Sequence, residues 1–213
     1  MNIITEKLTR VQMALAGLVP LDTNVEMVHF DANGNVKAIF QDNQLCISLI
    51  KAGWLSPTWI NAWYAPLVSW MFGHWSNKKH NRNLVTSAGK AAVASRINGS
   101  GAEPLFDKIG WGTGTTSPVI GDTTLQTEVT TSGGAASGVH VVSAATVSRV
   151  TTTVTNDTAQ HVGTVTAAGT IAITESGVFN LATNGVLLAR QTFTAINVVS
   201  GDSIQFTWKV ACA

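Results

Sequence analysis

The chain has 213 residues, a net charge of +1 and only 12% charged side chains. That share is about half the usual one for a soluble domain, and Thr, Ser, Ala, Gly and Val fill the space instead. Such a balance excludes a general electrostatic case for nucleic acid and suits sheets packed against other protein surfaces. The length fits one large β domain or two small ones, and either buries an adequate core.

Met1 to Arg10 is polar and charged, so no apolar signal segment is expected there. Ile4, Leu8, Val11, Leu15 and Leu18 recur at spacings of three and four, which predicts a helix over residues 1–20 ended by Pro20. Glu26–Phe30 and Val36–Phe40 read as short strands around Asn33-Gly34, a strong hairpin signal. The Asp and Asn residues of that turn faintly resemble a calcium loop, but no bidentate Glu follows at the required distance. Leu45–Ile50 is a further candidate strand.

Residues 52–77 carry no Asp, Glu, Lys or Arg and hold Trp54, Trp59, Trp63, Trp70 and Trp75. A membrane helix needs about 20 mostly apolar residues, and Pro57, Asn61, Pro66 and Gly73 interrupt this run. The expectation is therefore no membrane span but an aromatic segment packed on protein. It is either a small core for an N-terminal domain or an anchor that docks on a partner. On the second reading these five tryptophans are the partner-docking residues. Lys78–Arg82 reads as a solvated exit.

Asn83–Asn98 predicts the clearest helix, capped by Asn83 or Thr86 and stopped by Asn98-Gly99-Ser100-Gly101. Leu84, Ala88, Ala92 and Val93 would form its small-residue face, with Ile97 one turn on. The domain boundary falls near residues 80–83. It separates a mixed α+β docking module, 1–82, from a second domain, 83–213. Ile109–Thr116 is rich in glycine but lacks the Lys-Ser/Thr of a Walker loop, and Ser117-Pro118 argues against a helix opened by the glycines. It reads as a strand exit with a bend.

Ser132–Gly138 is a loop. Val139–Val154, Val162–Ala167, Thr170–Thr174 and Gly185–Ala195 then follow as apolar, β-branched runs. In the last run Ile204, Phe206, Trp208 and Val210 alternate with Ser203, Gln205, Thr207 and Lys209, the period of a strand with one apolar face. Ser200-Gly201-Asp202 reads as a hairpin turn pairing the last two runs. Strand after strand predicts a sandwich or barrel. The expected fold is mainly β: a C-terminal antiparallel β-sandwich, jelly-roll-like, preceded by a helix and a small mixed α+β N-terminal domain.

No reaction chemistry stands out. His29, His74, His80, His140 and His161 form no HExxH and no Cys/His metal spacing, and there is no GxSxG elbow. Cys46 and Cys212 read as buried free thiols, with a disulfide as the alternative. Paired carboxylates stay open, because their spacing lives in the fold. Glu175, just before Gly177-Val-Phe179, is the acid that draws notice. It reads as a strand-end carboxylate bonded to a turn rather than a catalytic acid. No catalytic, cofactor-binding or metal residue is assigned.

A resemblance completes the reading. Asn83-Leu-Val-Thr-Ser-Ala-Gly-Lys-Ala-Ala-Val-Ala-Ser-Arg-Ile-Asn98, Ile109-Gly-Trp-Gly-Thr-Gly-Thr-Thr116, Asp122-Thr-Thr-Leu-Gln-Thr-Glu128, Ile173-Thr-Glu-Ser-Gly-Val-Phe179, Leu187-Leu-Ala-Arg190 and Gly201-Asp-Ser203 occur in that order. Together they resemble tail-collar fibre domains and related virion proteins of tailed bacteriophages, over residues 83–210. The resemblance implies a non-enzymatic virion component, trimeric and built on a β-sandwich, with the major capsid protein or other virion proteins as partners. It implies no cofactor and no specific nucleic acid. Within it, Glu175 and the Gly-Val-Phe turn would be structural.

Three functions compete on these grounds. The first is a capsid decoration or cement protein, favoured by a compact β domain on a short aromatic anchor. A tail, collar or fibre part is the second, although the chain lacks heptads and shaft repeats. A carbohydrate-binding module or depolymerase is the third, kept open by the tryptophans.

Overall fold

The computed structural model describes residues 21–40, 84–101, 103–129, 143–152 and 154–212. The expected helix over 1–20, the strand Leu45–Ile50, the Trp-rich segment and the Ser132–Gly138 loop all lie outside these residues.

In chain order the elements are β1 (Leu21–Phe30), β2 (Val36–Phe40), β3 (Leu84–Val85), α1 (Ser87–Asn98), β4 (Lys108–Gly112), β5 (Ser143–Ala144), β6 (Thr146–Val150), β7 (Thr158–Thr166), β8 (Ile171–Phe179), β9 (Leu187–Val198) and β10 (Ser203–Cys212). They form two five-stranded sheets, ordered β2-β1-β10-β7-β6 and β3-β9-β8-β4-β5. Every pairing is antiparallel. The mainly-β sandwich expected from strand spacing is the fold observed.

The period of two decides which side chains meet between the sheets. On β10, Ile204, Phe206, Trp208 and Val210 are buried while the residues between them are partly exposed. Val25 and Met27 on β1, Ile109 and Trp111 on β4, Ile173 and Val178 on β8 and Phe193, Ile196 and Val198 on β9 join them in one core. Across the interior, Trp208 Nε1 donates to Ser176 Oγ at 3.4 Å, and Ser176 Oγ donates to the Gly110 carbonyl at 2.8 Å. One polar thread thus runs from sheet to sheet through apolar packing.

Three expectations need correcting. The turn after β9 does not close a hairpin, because β9 and β10 belong to different sheets. Gly201 does take the positive φ foreseen for it, +87°. The turn is an arch over the core edge instead, since Val198 and Ile204 on either side are both fully buried and drive their strands into facing layers. Second, residues 21–40 do not stand apart as part of a separate module. β1 lies between β2 and β10, in unbroken register from Leu21↔Cys212 to Phe30↔Ser203. The boundary near 80–83 therefore does not divide the sandwich from what precedes it. Its physical cause is burial: β10 needs a partner on both sides, and β1 supplies Val25 and Met27 to the core. Third, Gly177-Val-Phe179 is not a turn but the end of β8.

Helix α1 follows its caps. Thr86 is extended and accepts from Gly89 N at 2.9 Å, and Gly99 ends the helix at φ 66°. Thr86 Oγ1 also donates to the Leu187 carbonyl, tying the cap to β9. The buried residues are Gly89 and Ala92, and Ile97 is 82% exposed, so the packed face is narrower than the expected one. A Cβ on Gly89 would fall 2.5 Å from the Leu188 carbonyl oxygen, which is why the helix seats so closely. No described helix is long and apolar enough to cross a membrane.

Candidate functional site

Trp54, Trp59, Trp63, Trp70 and Trp75, the expected docking residues, lie outside the described residues, as do His74, His80, His140 and Cys46. Cys212 is a free thiol and is exposed, not buried as expected, because it ends β10 beyond Val210, the last buried position of that strand. What the fold does bring together is a knot on the outer face of the second sheet.

Glu175 sits within β8 at 0% exposure, not at a strand end. Its Oε1 accepts from Gly114 N at 3.0 Å and Thr127 N at 2.7 Å. Its Oε2 accepts from Gln126 N at 3.0 Å and from Arg190 Nε at 2.8 Å. Arg190, 2% exposed on β9, gives its other donors to Asp122 Oδ2 at 2.9 Å and the Thr116 carbonyl at 3.2 Å. Gln126 Oε1 in turn accepts from Thr115 N and Thr116 N at 2.8 and 2.9 Å. The whole 113–128 loop is therefore folded back over β4 and β8. Beneath it Leu125, Phe179 and Leu187 make a second small apolar cluster.

The glycines of Gly110-Trp-Gly-Thr-Gly114 now have their reason. A Cβ on Gly112 would lie 2.4 Å from the Thr127 carbonyl oxygen and 2.5 Å from Glu175 Oε1. On Gly114 it would lie 2.4 Å from Glu175 Oε1. The absent side chains are what lets the carboxylate reach three backbone N–H groups. Gly112→Ala should consequently cost about 1–3 kcal/mol by overpacking against backbone. A urea unfolding midpoint unchanged from the parent protein would contradict that close approach.

Each oxygen of Glu175 accepts two charge-assisted hydrogen bonds, so its lone pairs are committed to the fold. That arrangement is suited to holding a loop and ill suited to exchanging a proton with a substrate. Of the expected readings of this residue, the structural role is the one the geometry fits, although its partner is a distant loop instead of a neighbouring turn.

A second polar cluster lies at the arch. Asp202, 2% exposed, accepts from Lys37 Nζ at 2.8 Å, His29 Nε2 at 2.9 Å and Val199 N at 3.2 Å. The Lys37 bond first, then those from His29 and Val199, hold its carboxyl down to about 2 against the opposing effect of burial. The neighbouring turn is built on Asp31, whose Oδ1 accepts from Asn33 N and Asn35 N at 2.9 and 2.8 Å, while Gly34 takes φ +83°. Hydrogen bonds from Asn35 hold that carboxyl below its ordinary value. The hairpin reading of this segment therefore holds. Among the described residues no three His, Cys, Asp or Glu side chains converge as a metal site.

The sign of the pH dependence at Asp202 follows from that depressed pKa. A carboxylate with a lowered folded-state value stabilises the fold fully above its unfolded value, 3.8. The contribution is lost as pH falls from there through about 2. Urea unfolding followed from pH 5 to pH 2 should show this loss. In Asp202→Asn the same interval should be flatter, and an equally steep fall would refute the assignment.

A groove of about 440 Å³ opens between α1, β6, β7 and the end of β10. Val93, Phe106, Leu188 and Val210 are among its walls, with His161 in their midst. His161 is 6% exposed, and neither ring nitrogen has a hydrogen-bond partner. Burial lowers its pKa, opposed more weakly by the Phe106 backbone and Asp107. Nothing in the spacing of the histidines pointed to this one. The signal was its place in an alternating strand, where the next inward positions are Gly163 and Val165.

Fold and knot together define the class: a two-sheet antiparallel β-sandwich whose second sheet is roofed by a loop tied to a buried acid–arginine pair. No protein-family model, curated protein or solved structure matches the chain.

Proposed function

We propose that this chain is a non-enzymatic structural protein of a tailed-phage virion, a capsid decoration or cement protein that clamps neighbouring capsid subunits as a trimer. One observation carries the reading. Four of the six segments on which the resemblance rests, those within residues 109–190, meet in one knot. Gly112 and Gly114, Asp122 and Gln126, Glu175 and Arg190 touch one another there, and Thr86 ties the helix to the adjoining strand. Residues that depend on each other for packing are expected to travel together as one pattern, so these four segments count as a single signal instead of four weak ones. The most prominent acid is committed to this knot, which favours a scaffold role over chemistry. Exposed apolar side chains, among them Leu105, Val119, Ile120 and Val154, supply area for subunit packing.

Labelling the assembled particle with an antibody to this chain tests the proposal. Labels over the whole shell support decoration, and labels at one vertex or along the tail would replace it with the tail, collar or fibre reading. Turnover in a glycan hydrolysis screen would overturn both. On the same reading the Trp59→Ala/Trp63→Ala double variant folds its sandwich but fails to join particles, and normal incorporation would remove the tryptophans from the docking role.

A further inference from the structure

We infer that the groove between α1, β6 and β7 binds a single-chain anionic amphiphile, its apolar chain along the groove and its carboxylate head at the arginine-lined rim. The inference goes beyond the virion reading and does not depend on it.

Three observations meet here. The walls are apolar, with Val93, Ile97, Leu105, Phe106, Val147 and Val210 contributing from four parts of the fold. Ile97, Leu105 and Val147 are 82%, 53% and 43% exposed, a cost in water that an apolar chain laid across them would remove. A volume of about 440 Å³ lies inside the range of ordinary ligand cavities.

The net charge at the rim is positive, with Arg96 and Arg149 against the single carboxylate of Asp157. Arg96 and Arg149 both line the groove. Among the described residues neither pairs with a carboxylate: Arg96 donates only to the Glu103 backbone carbonyl, and Arg149 makes no ion pair. The acids nearby are already engaged. Asp157 accepts from Thr152 N, Val154 N and Thr158 Oγ1, and Asp107 is held by Lys108 Nζ at 2.7 Å. Cys212 is the remaining titratable group on the lining. Two guanidinium groups in no ion pair, outnumbering the one carboxylate of the lining above an apolar floor, complement a carboxylate on a hydrocarbon chain.

His161 adds the independent sign. An imidazole more than nine-tenths buried with both nitrogens unpartnered leaves hydrogen bonds unmade in the groove wall. The buried ring marks the groove wall as short of a polar contact, and its resonances report on whatever lies against it. No other described side chain on this wall combines such burial with such a deficit.

Sodium decanoate and 1-decanol, each titrated below its aggregation limit into the full chain, test the inference by calorimetry and by the His161 ring resonances. The expected result is saturable decanoate binding that moves those resonances, with 1-decanol binding more weakly. Arg96→Gln with Arg149→Gln should weaken decanoate by roughly tenfold and leave 1-decanol unchanged. Ala159→Trp, which fills the groove from an exposed position, should abolish binding of both while leaving the unfolding midpoint in place. Equal affinity for the two probes, survival of binding in Ala159→Trp, or no saturable binding at all would each overturn the inference.

Discussion

Glu175→Ala is expected to lose roughly 3–5 kcal/mol of folding stability, the range for breaking one side of a buried ion pair. The reason is what the substitution leaves behind. Arg190 stays 2% exposed with its Nε unpaired, and the N–H groups of Gly114, Gln126 and Thr127 lose their common acceptor. Asp122 still holds one end of the guanidinium at 2.9 Å, so the loss is shared between stranded charge and stranded backbone. Folded domains hold only about 5–15 kcal/mol in total, and a fall of this size takes roughly a fifth of it or more. Urea unfolding at neutral pH is the measurement. Glu175→Leu with Arg190→Leu should recover much of the loss, because an apolar pair leaves no buried charge behind. A loss below about 1 kcal/mol in Glu175→Ala would mean that the roof stays in place without its tie.

Trp208→Ala should be comparably severe, about 3–5 kcal/mol for an aromatic removed from a closed core. Trp208 is 0% exposed, stands opposite Val25 on one neighbouring strand and His161 on the other, and bonds Ser176 across the sandwich. Its removal opens a cavity where the sheets are pinned together and also takes from Ser176 Oγ the indole N–H it accepts, leaving its bond to the Gly110 carbonyl in place. Trp208→Phe separates the two parts, since it keeps a large ring but drops the indole N–H. The smaller variant loss should then reflect the missing area and the 3.4 Å hydrogen bond, which is worth about 1 kcal/mol. If Trp208→Ala unfolds at the parent's midpoint, the interior is not packed as described.

These expectations bear on function through contrast. A catalytic carboxylate is replaceable at little cost in stability and great cost in activity. Glu175 should behave the other way round. The knot therefore accounts for four parts of the six-part sequence pattern as a folding device, and on the proposed reading the work on partners falls to surfaces outside it. The exposed apolar residues and the groove beside α1 are such surfaces. They carry no motif, because contact area and curvature are assembled from residues distant in the chain.

Local rules in the sequence were enough for much of the fold. The alternation of Ile204, Phe206, Trp208 and Val210 marks β10 and its buried face, and Asn33-Gly34 marks the β1–β2 turn. Thr86 and Gly99 mark the limits of α1. Each rests on backbone geometry within a few residues, which the chain dictates wherever it sits. Tertiary structure alone decided that β1 belongs beside β10, that Gly201 turns an arch between sheets, and that Glu175 reaches the 113–128 loop. A turn has the same glycine whether the strands after it pair or part. A carboxylate has the same place in the sequence whether water, a turn or a distant loop meets it. Those outcomes depend on which apolar faces must be buried together and which polar groups are left needing partners, and these are properties of the whole packed chain.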